Sequence, residues 1–372
     1  MEELIGNITL IRTGKLDVNA ENPQGKYPFF TCSKNHTYID DFAFEGESIL
    51  VAGNGDLNVK YYNGKFNAYQ RTYVIQPQET LNGKYLYYFL EKYVEKLREQ
   101  SIGGVIKYIK LGNLTDAKIP LPSLSTQQKI AAILDKADEL CQYNKQLIEK
   151  YDALTQSLFL DMFGDPVRNV LHFPELELIN LVKNKNDIKC GPFGTQLSKS
   201  EYVEFGVPIW GIPQVNSFFV KNPTEYVTIQ KAEILKQYSV IPTDIIMSRK
   251  GNVGKCAIYP NNWEMGILHS DVLRIRCDKD KISPVFLAWQ FRISRRLETQ
   301  VNDVSSGAIM QGINVSKLKN IQPIVPPIKL QNQFAERVQL IETQKQQAQE
   351  ALAKSEALFQ GLLQQAFKGE LN

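Results

Sequence analysis

Shifted by 204 residues, the sequence falls onto itself, and this internal repeat constrains the fold more than any other feature. Ser101-Ile102-Gly103-Gly104-Val105-Ile106 meets Ser305-Ser306-Gly307-Ala308-Ile309-Met310, Ile109 meets Ile313, Leu114 meets Leu318, Pro122 meets Pro326 and Gln127 meets Gln331. The register runs on without a gap to Ala153-Leu154 on Ala357-Leu358 and Phe163 on Phe367, about 60 residues. Upstream the register loosens while the order of elements persists. Ser48-Ile49-Leu50-Val51 parallels Asp244-Ile245-Ile246-Met247, each an apolar strand running into a glycine-containing loop. Leu86, Phe89, Leu90, Tyr93 and Leu97 form a helical stripe, matched by Phe286, Trp289, Ile293 and Leu297. Each copy reads as a mixed strand-and-helix globule, a proline-marked exit and a long helix.

A chain of 372 residues exceeds one comfortable core. The repeat divides it into globules at 1–123 and 164–326 and helices at 124–163 and 327–372. Pro120 and Pro122 close the first globule, and Ser125-Thr126-Gln127-Gln128 offers a capping box whose glutamine reaches back to the cap. Ile130, Ala137, Asn144, Tyr151 and Leu158, with Ile133, Leu140, Leu147 and Leu154 offset by three, spell a heptad seam. The second helix has a weaker seam in Phe334, Ile341, Ala348 and Leu362, with Val338, Leu352, Leu358 and Phe359 close by; Gln344 to Gln349 suggests a solvated face. About 35 residues at roughly 1.5 Å each make a rod of roughly 50 Å. The expected fold is α+β: two similar strand-helix domains separated by two long antiparallel coiled-coil helices, with pseudo-two-fold symmetry. An ordinary helical hairpin, serving as core or dimerisation arm, would carry the same heptads but not a globule before each proline exit.

Several function classes lose support. No run of about 18 apolar residues is present, so no membrane span is expected. The acidic start Met1-Glu2-Glu3-Leu4 does not look like a secretory signal, and a cytoplasmic location is expected. Cys32, Cys141, Cys190, Cys256 and Cys277 never form a CxxC pair, which argues against a disulfide framework or zinc site. Asn222-Pro223-Thr224-Glu225-Tyr226 lacks the second proline of an amino-methyltransferase motif. Gly53-Asn54-Gly55-Asp56-Leu57-Asn58 ends in Asn where a dinucleotide loop needs its third glycine. Before Gly254-Lys255-Cys256, Arg249 stands where a P-loop begins with glycine. No catalytic, cofactor-binding or metal residues are expected. The net charge is only +3, but residues 164–326 carry 20 basic and 15 acidic side chains.

In this organisation the chain resembles the specificity subunits of type I restriction-modification enzymes. The resemblance is carried by the loop Ser305 to Asn314, Leu318, Ile321, Ile324, Pro326-Pro327 and the helix led by Gln331. In the first half its carriers are Ser101-Ile102-Gly103-Gly104, Leu114, Ile119, Pro120-Leu121-Pro122 and Gln127-Gln128. Two departures stand out: Gln127-Gln128 and Gln331-Asn332 replace the family's frequent Glu-Gln, and Lys107, Tyr108 and Lys110 replace the polar loop end. The resemblance implies two target-recognition domains, 1–123 and 164–326, that read a bipartite double-stranded DNA site across a fixed gap. It also implies two methyltransferase subunits docked on the helices and two restriction/translocase subunits in the full complex. S-adenosylmethionine, ATP and Mg would then belong to those partners, not to this chain.

Base reading needs donors and acceptors on rigid turns, and cations for phosphates. In the first globule Lys60, Tyr61, Tyr62, Asn63 and Lys65 surround an Asn63-Gly64 pair that signals a tight hairpin. Lys107 adds a cation in the repeated loop. In the second globule Arg249, Lys250, Asn252 and Lys255 make the most cationic glycine loop of the chain. Either loop could instead be a plain solvated turn. Ser305, Ser306, Gln311 and Asn314 fit a shared phosphate contact or a shared turn equally. Arg292, Arg295 and Arg296 fall on one expected helix, where Arg292 and Arg296 would track phosphates or face water. Two rivals remain: a two-headed coiled-coil adaptor for RNA or protein, and a self-sufficient DNA methyltransferase or nuclease.

Overall fold

The computed structural model describes residues 2–263, 265–305 and 312–371. It separates into two units: unit 1 spans Met1–Leu147 and Gln347–Asn372, unit 2 Ile148–Gln346. Each unit is thus made of one globule, part of the first long helix and part of the second.

In unit 1, β1 (Glu2–Leu4), α1 (Ile5–Ile8), β2 (Thr9–Thr13), β3 (Tyr27–Phe30), β4 (Thr37–Ile39), β5 (Phe44–Ala52), β6 (Val59–Ala68) and β7 (Thr72–Pro77) lead to α2 (Gly83–Gln100). There follow α3 (Leu111–Thr115), β8 (Lys118–Pro120) and the first part of α4 (Leu124–Phe163). Six strands make one sheet in the order β2-β7-β5-β6-β3-β4, and β1 pairs separately with β8. Successive side chains of a strand point to opposite faces. Ile49, Val51 and Ile75 therefore meet Leu86, Phe89, Leu90 and Leu97 of α2, while Leu50 and Val74 meet Phe30, Phe44 and Phe66 on the other face. Both faces are covered, so the run Ile49-Leu50-Val51-Ala52 is apolar without alternation.

Unit 2 contains β9 (Ile188–Cys190), β10 (Val207–Trp210), α5 (Ile212–Asn216), β11 (Tyr226–Val227), α6 (Ile229–Ile234), β12 (Ser239–Val240), β13 (Ile245–Ser248) and β14 (Cys256–Ile258). Then come β15 (Gly266–Leu268), β16 (Val272–Ile275), α7 (Pro284–Ile293), α8 (Arg295–Asp303), α9 (Val315–Leu318) and the start of α10 (Ile328–Lys368). Its strands form two sheets, β11-β10-β15-β12 and β14-β13-β16-β9. The same alternation holds: Ile245 and Met247 face Phe286 and Leu287 of α7, and Ile246 faces Trp210 and Tyr259.

The long helices run antiparallel within each unit. In unit 1, Ile130, Ala131 and Leu134 share a core with Leu363 and Ala366, and Lys145 pairs with Glu356 at 3.0 Å. In unit 2, Phe159 and Phe163 of α4 pack on Phe334 of α10 at 5.5 and 5.4 Å between ring centres. Phe367, the repeat partner of Phe163, closes unit 1 against Tyr85 and Phe89 at 5.1 and 5.4 Å.

The repeat is sharpest at two buried glutamines. Gln127 accepts from the Asn82 amide at 2.9 Å and donates to the carbonyls of Thr80 and Pro122 at 3.1 and 2.9 Å. Gln331 accepts from the Ser283 amide at 2.8 Å and donates to those of Lys281 and Pro326 at 3.4 and 2.7 Å. Each amide ties the start of a long helix to the start of the preceding globular helix.

This changes three expectations. The capping box expected of Ser125 and Gln128 does not form: α4 already begins at Leu124, and Ser123 Oγ accepts from the Thr126 amide at 3.2 Å. The seam of α4 follows an offset of four. Leu134, Cys141 and Thr155 are buried with Ile130, Ala137 and Asn144, whereas Ile133, Leu140 and Leu154 are exposed. Polar seam residues are tolerated because they are bonded, Asn144 to Ser355 at 3.4 Å and Thr155 to the Tyr151 carbonyl at 3.1 Å. Finally, α7 ends at Ser294, whose hydroxyl caps α8, so the three arginines do not share one helix.

Candidate nucleic-acid interface

In unit 2 the loop after β13 is shaped by Gly251 and Gly254, both at positive φ (68° and 82°), where a side chain would be strained. The Arg249 carbonyl accepts from the Ile313 amide at 3.1 Å, and Arg249 Nε returns a bond to the Ile313 carbonyl at 3.0 Å. The two candidate loops therefore lie side by side. The Arg249 guanidinium also sits 4.7 Å from the Phe193 ring, leaving its Nη2 edge without a partner among the described residues. Lys250 pairs with Asp271 at 2.7 Å. Burial alone would raise that carboxyl, but Lys250 and His269 outweigh it and hold it below its usual range. Lys255 donates to the Asn216 carbonyl at 3.2 Å, and Asn252 is exposed at the tip. Ser305 is buried with its hydroxyl on the Val301 carbonyl, and Asn314 caps α9 through the Ser316 and Lys317 amides at 3.0 and 3.2 Å. Both side chains hold the turn. Ser306 and Gln311 lie outside the described residues.

Unit 1 builds the same junction from different residues. The Ile109 amide donates to the Gly53 carbonyl at 2.9 Å, the counterpart of the bond between Ile313 and Arg249. Gly55, at φ 71°, donates its amide to the Lys107 carbonyl at 3.0 Å. Beside this junction Thr13, Gln70, Arg71, Tyr73, Tyr108 and Lys110 line a cleft of about 470 Å³. The side chains of Arg71, Lys107 and Lys110 are exposed and make no ion pair among the described residues.

The hairpin expected at Asn63-Gly64 is not there. Asn63 and Gly64 lie inside β6, opposite Glu47 and Gly46 of β5, and the chain turns instead around Asn54-Gly55. The side chains named around it are largely engaged. Lys60 bonds the Thr31 carbonyl and Asn58, Tyr61 donates to Glu47 at 2.7 Å, and Tyr62 packs on Phe30 and Phe66. Lys65 lies over the Phe42 ring at 4.6 Å and 3.9 Å from Glu45; Asn63 is exposed. The strand parallel carries a signal for Gly53, which it places opposite Arg249, but none for Arg71.

Burial pushes the Lys60 ammonium down to about 8. Its folded pKa lies below the unfolded value, so the buried charge opposes folding below that pH and the opposition fades as pH rises toward about 10.4. Stability of the parent should thus rise from neutral to alkaline pH relative to Lys60→Met. Denaturant melts of both proteins below and above pH 8 check this; parallel profiles would contradict it.

Three kinds of comparison bear on this geometry. The family model for the type I restriction modification DNA specificity domain matches residues 4–151. The EcoDI specificity subunit of Escherichia coli is 28% identical over 99% of this chain and 87% of its own length. Over nearly its whole length the chain is thus similar to type I restriction-modification specificity subunits. The chain is also 23% identical, over 86% of its length and 81% of the relative's, to a protein of Haemophilus influenzae named as a type I restriction enzyme specificity subunit. Its fold matches the crystal structure of the S subunit from M. genitalium with a TM-score of 0.64, at 19% identity, over 99% of this chain and 96% of that one. The reading as an adaptor without such a system is not favoured. Among the described residues no helix is long and apolar enough to cross a membrane.

Arg296 and Arg292 are both engaged. Arg296 makes a two-pronged ion pair with Glu175, and Arg292 stacks between two aromatic rings. Arg296 is therefore not the free arginine expected, whereas Arg292 is exposed, as one of the two alternatives had it, with its guanidinium laid on Phe218 and Trp289.

Proposed function

We propose that this chain is a specificity subunit and reads a bipartite double-stranded DNA target, one half-site by residues 1–123 and the other by residues 164–326. The observation that carries this reading is the repeated backbone junction, Ile109 to Gly53 and Ile313 to Arg249, with unlike side chains around it. Equal scaffolds with unequal surfaces are what two different half-sites require. In unit 2 the readers are Arg249, Lys250, Asn252 and Lys255; in unit 1 they are Arg71, Lys107 and Lys110, with Asn63 and Lys65 at the edge. The helices 124–163 and 327–372 set the gap and dock two methyltransferase subunits. Leu154 in unit 2 and its repeat partner Leu358 in unit 1 support this docking, being 50% and 52% exposed. S-adenosylmethionine is held by those methyltransferases, and ATP with Mg by two restriction/translocase subunits, all in the cytoplasm.

Arg249→Ala with Lys250→Ala should weaken binding of the methyltransferase complex to its target on the order of tenfold or more and flatten its salt dependence. Titrations at several salt concentrations measure both. Unchanged affinity and slope would remove this loop from the interface. Leu154→Asp with Leu358→Asp should abolish co-purification with the methyltransferase subunits while leaving the melting temperature unchanged.

A further inference from the structure

Against Val253, Gly254 and Lys255, at the end of the loop that begins with Arg249, unit 2 holds a pocket of about 270 Å³ whose residues the DNA reading has not used beyond Lys255. One wall is Phe218. It and Phe219 are consecutive non-glycine residues in the left-handed region, at φ 51° and 63°. Such backbone persists only where surrounding bonds impose it. Here the amides of Phe218 and Phe219 donate to the carbonyls of Val215 and Gln214 at 3.1 and 2.8 Å. Phe219 is anchored 5.3 Å from both Trp210 and Tyr259. The turn thus buries one phenylalanine and leaves the other half-exposed, though burying Phe218 would have been the favoured outcome for an apolar ring.

What Phe218 does instead is present cations. The Arg292 guanidinium lies 4.6 Å from the Phe218 ring and 4.8 Å from that of Trp289, and the Lys255 ammonium lies 5.5 Å from Phe218. A guanidinium stacked on two rings loses little freedom when it makes a further planar contact. Glu298 and Asn302 of α8 line the same pocket, both exposed and with no side-chain partner among the described residues. A phosphate site would exclude the Glu298 carboxylate. A base-reading site uses this mixture, because Arg or Lys matches guanine, a carboxylate accepts from the cytosine amino group, and an amide matches adenine.

We propose that Arg292, Glu298 and Asn302, with Phe218 as platform, form a base-reading set that determines part of the half-site read by residues 164–326. The proposal rests on the reading of this chain as a DNA specificity subunit. Its occupant is the edge of a base in duplex DNA, approached by the same loop that carries Arg249 and Lys250.

The test uses the full chain assembled with its methyltransferase subunits, and maps modified adenines in DNA exposed to the parent and to Glu298→Gln, Asn302→Ala, Arg292→Lys and Phe218→Ala. The expected result is relaxed specificity at one or two positions of a single half-site, with discrimination there falling roughly tenfold or more, and an unchanged second half-site. Glu298 and Asn302 are exposed and unpartnered, so their variants keep the test valid if Phe218→Ala or Arg292→Lys melts early. Identical motifs from all folded variants would overturn the proposal. So would a uniform weakening across all sequences with a shallower salt slope, which marks a phosphate contact. A parent complex that yields no bipartite motif would instead overturn the underlying reading, so the two failures are distinguishable.

Discussion

Phe159→Ala is expected to lower the unfolding free energy of unit 2 by about 3–5 kcal/mol. Phe159 is fully buried where α4, α7 and α10 meet. Its ring stacks on Phe286 at 5.5 Å and meets Phe163 and Phe334 edge-on or tilted at 5.0 and 5.5 Å. Truncation removes three ring contacts at once and leaves a cavity walled by rigid aromatics, which collapse poorly around a void. The loss should appear by calorimetry as a lower transition for unit 2. A shift smaller than about 1 kcal/mol would mean that the aromatic knot does not hold the helices to the second globule.

Gln331→Leu and Gln127→Leu should each cost about 3 kcal/mol or more, because each leaves one buried amide and two carbonyls without partners. The two losses should be similar in size, since the bond sets are equivalent, and should fall on different units. Gln331→Glu should also destabilise, as a carboxylate cannot donate to the Lys281 and Pro326 carbonyls it would then face. Denaturant unfolding of the three variants measures this. A mild effect from either leucine variant would show that the glutamine is a passenger.

The fold was legible in the sequence where the repeat was strict. Gln127 and Gln331, Phe163 and Phe367, and Ile109 and Ile313 all pair as the shift of 204 residues places them, and each pair does the same work in its unit. Errors arose where one local signal had two possible homes. Asn63-Gly64 and Asn54-Gly55 are both hairpin signals; only the long ladder from Phe44–Phe66 to Val51–Val59 decides that the turn is at the second. Heptads of α4 admit an apolar stripe at an offset of three or four. The structure buries the more polar one, whose Asn144 and Thr155 find partners invisible from sequence, and leaves the leucines exposed. At the interface, charge pointed to Arg249, Lys250 and Lys255, but not to Arg71, which reaches the unit 1 cleft from the turn before β7. Arg292 was read by helical spacing, yet its place is set by Phe218, 74 residues earlier in the chain.

The central claim is that one scaffold built twice presents two unlike surfaces to DNA. Its most direct test is to map adenine methylation by the complex containing this chain, and by one in which residues 1–123 are exchanged for those of a relative. The account predicts a bipartite motif for the parent and, for the exchange, a motif altered in one half-site only. A motif altered in both halves, or one that is not bipartite, would contradict it.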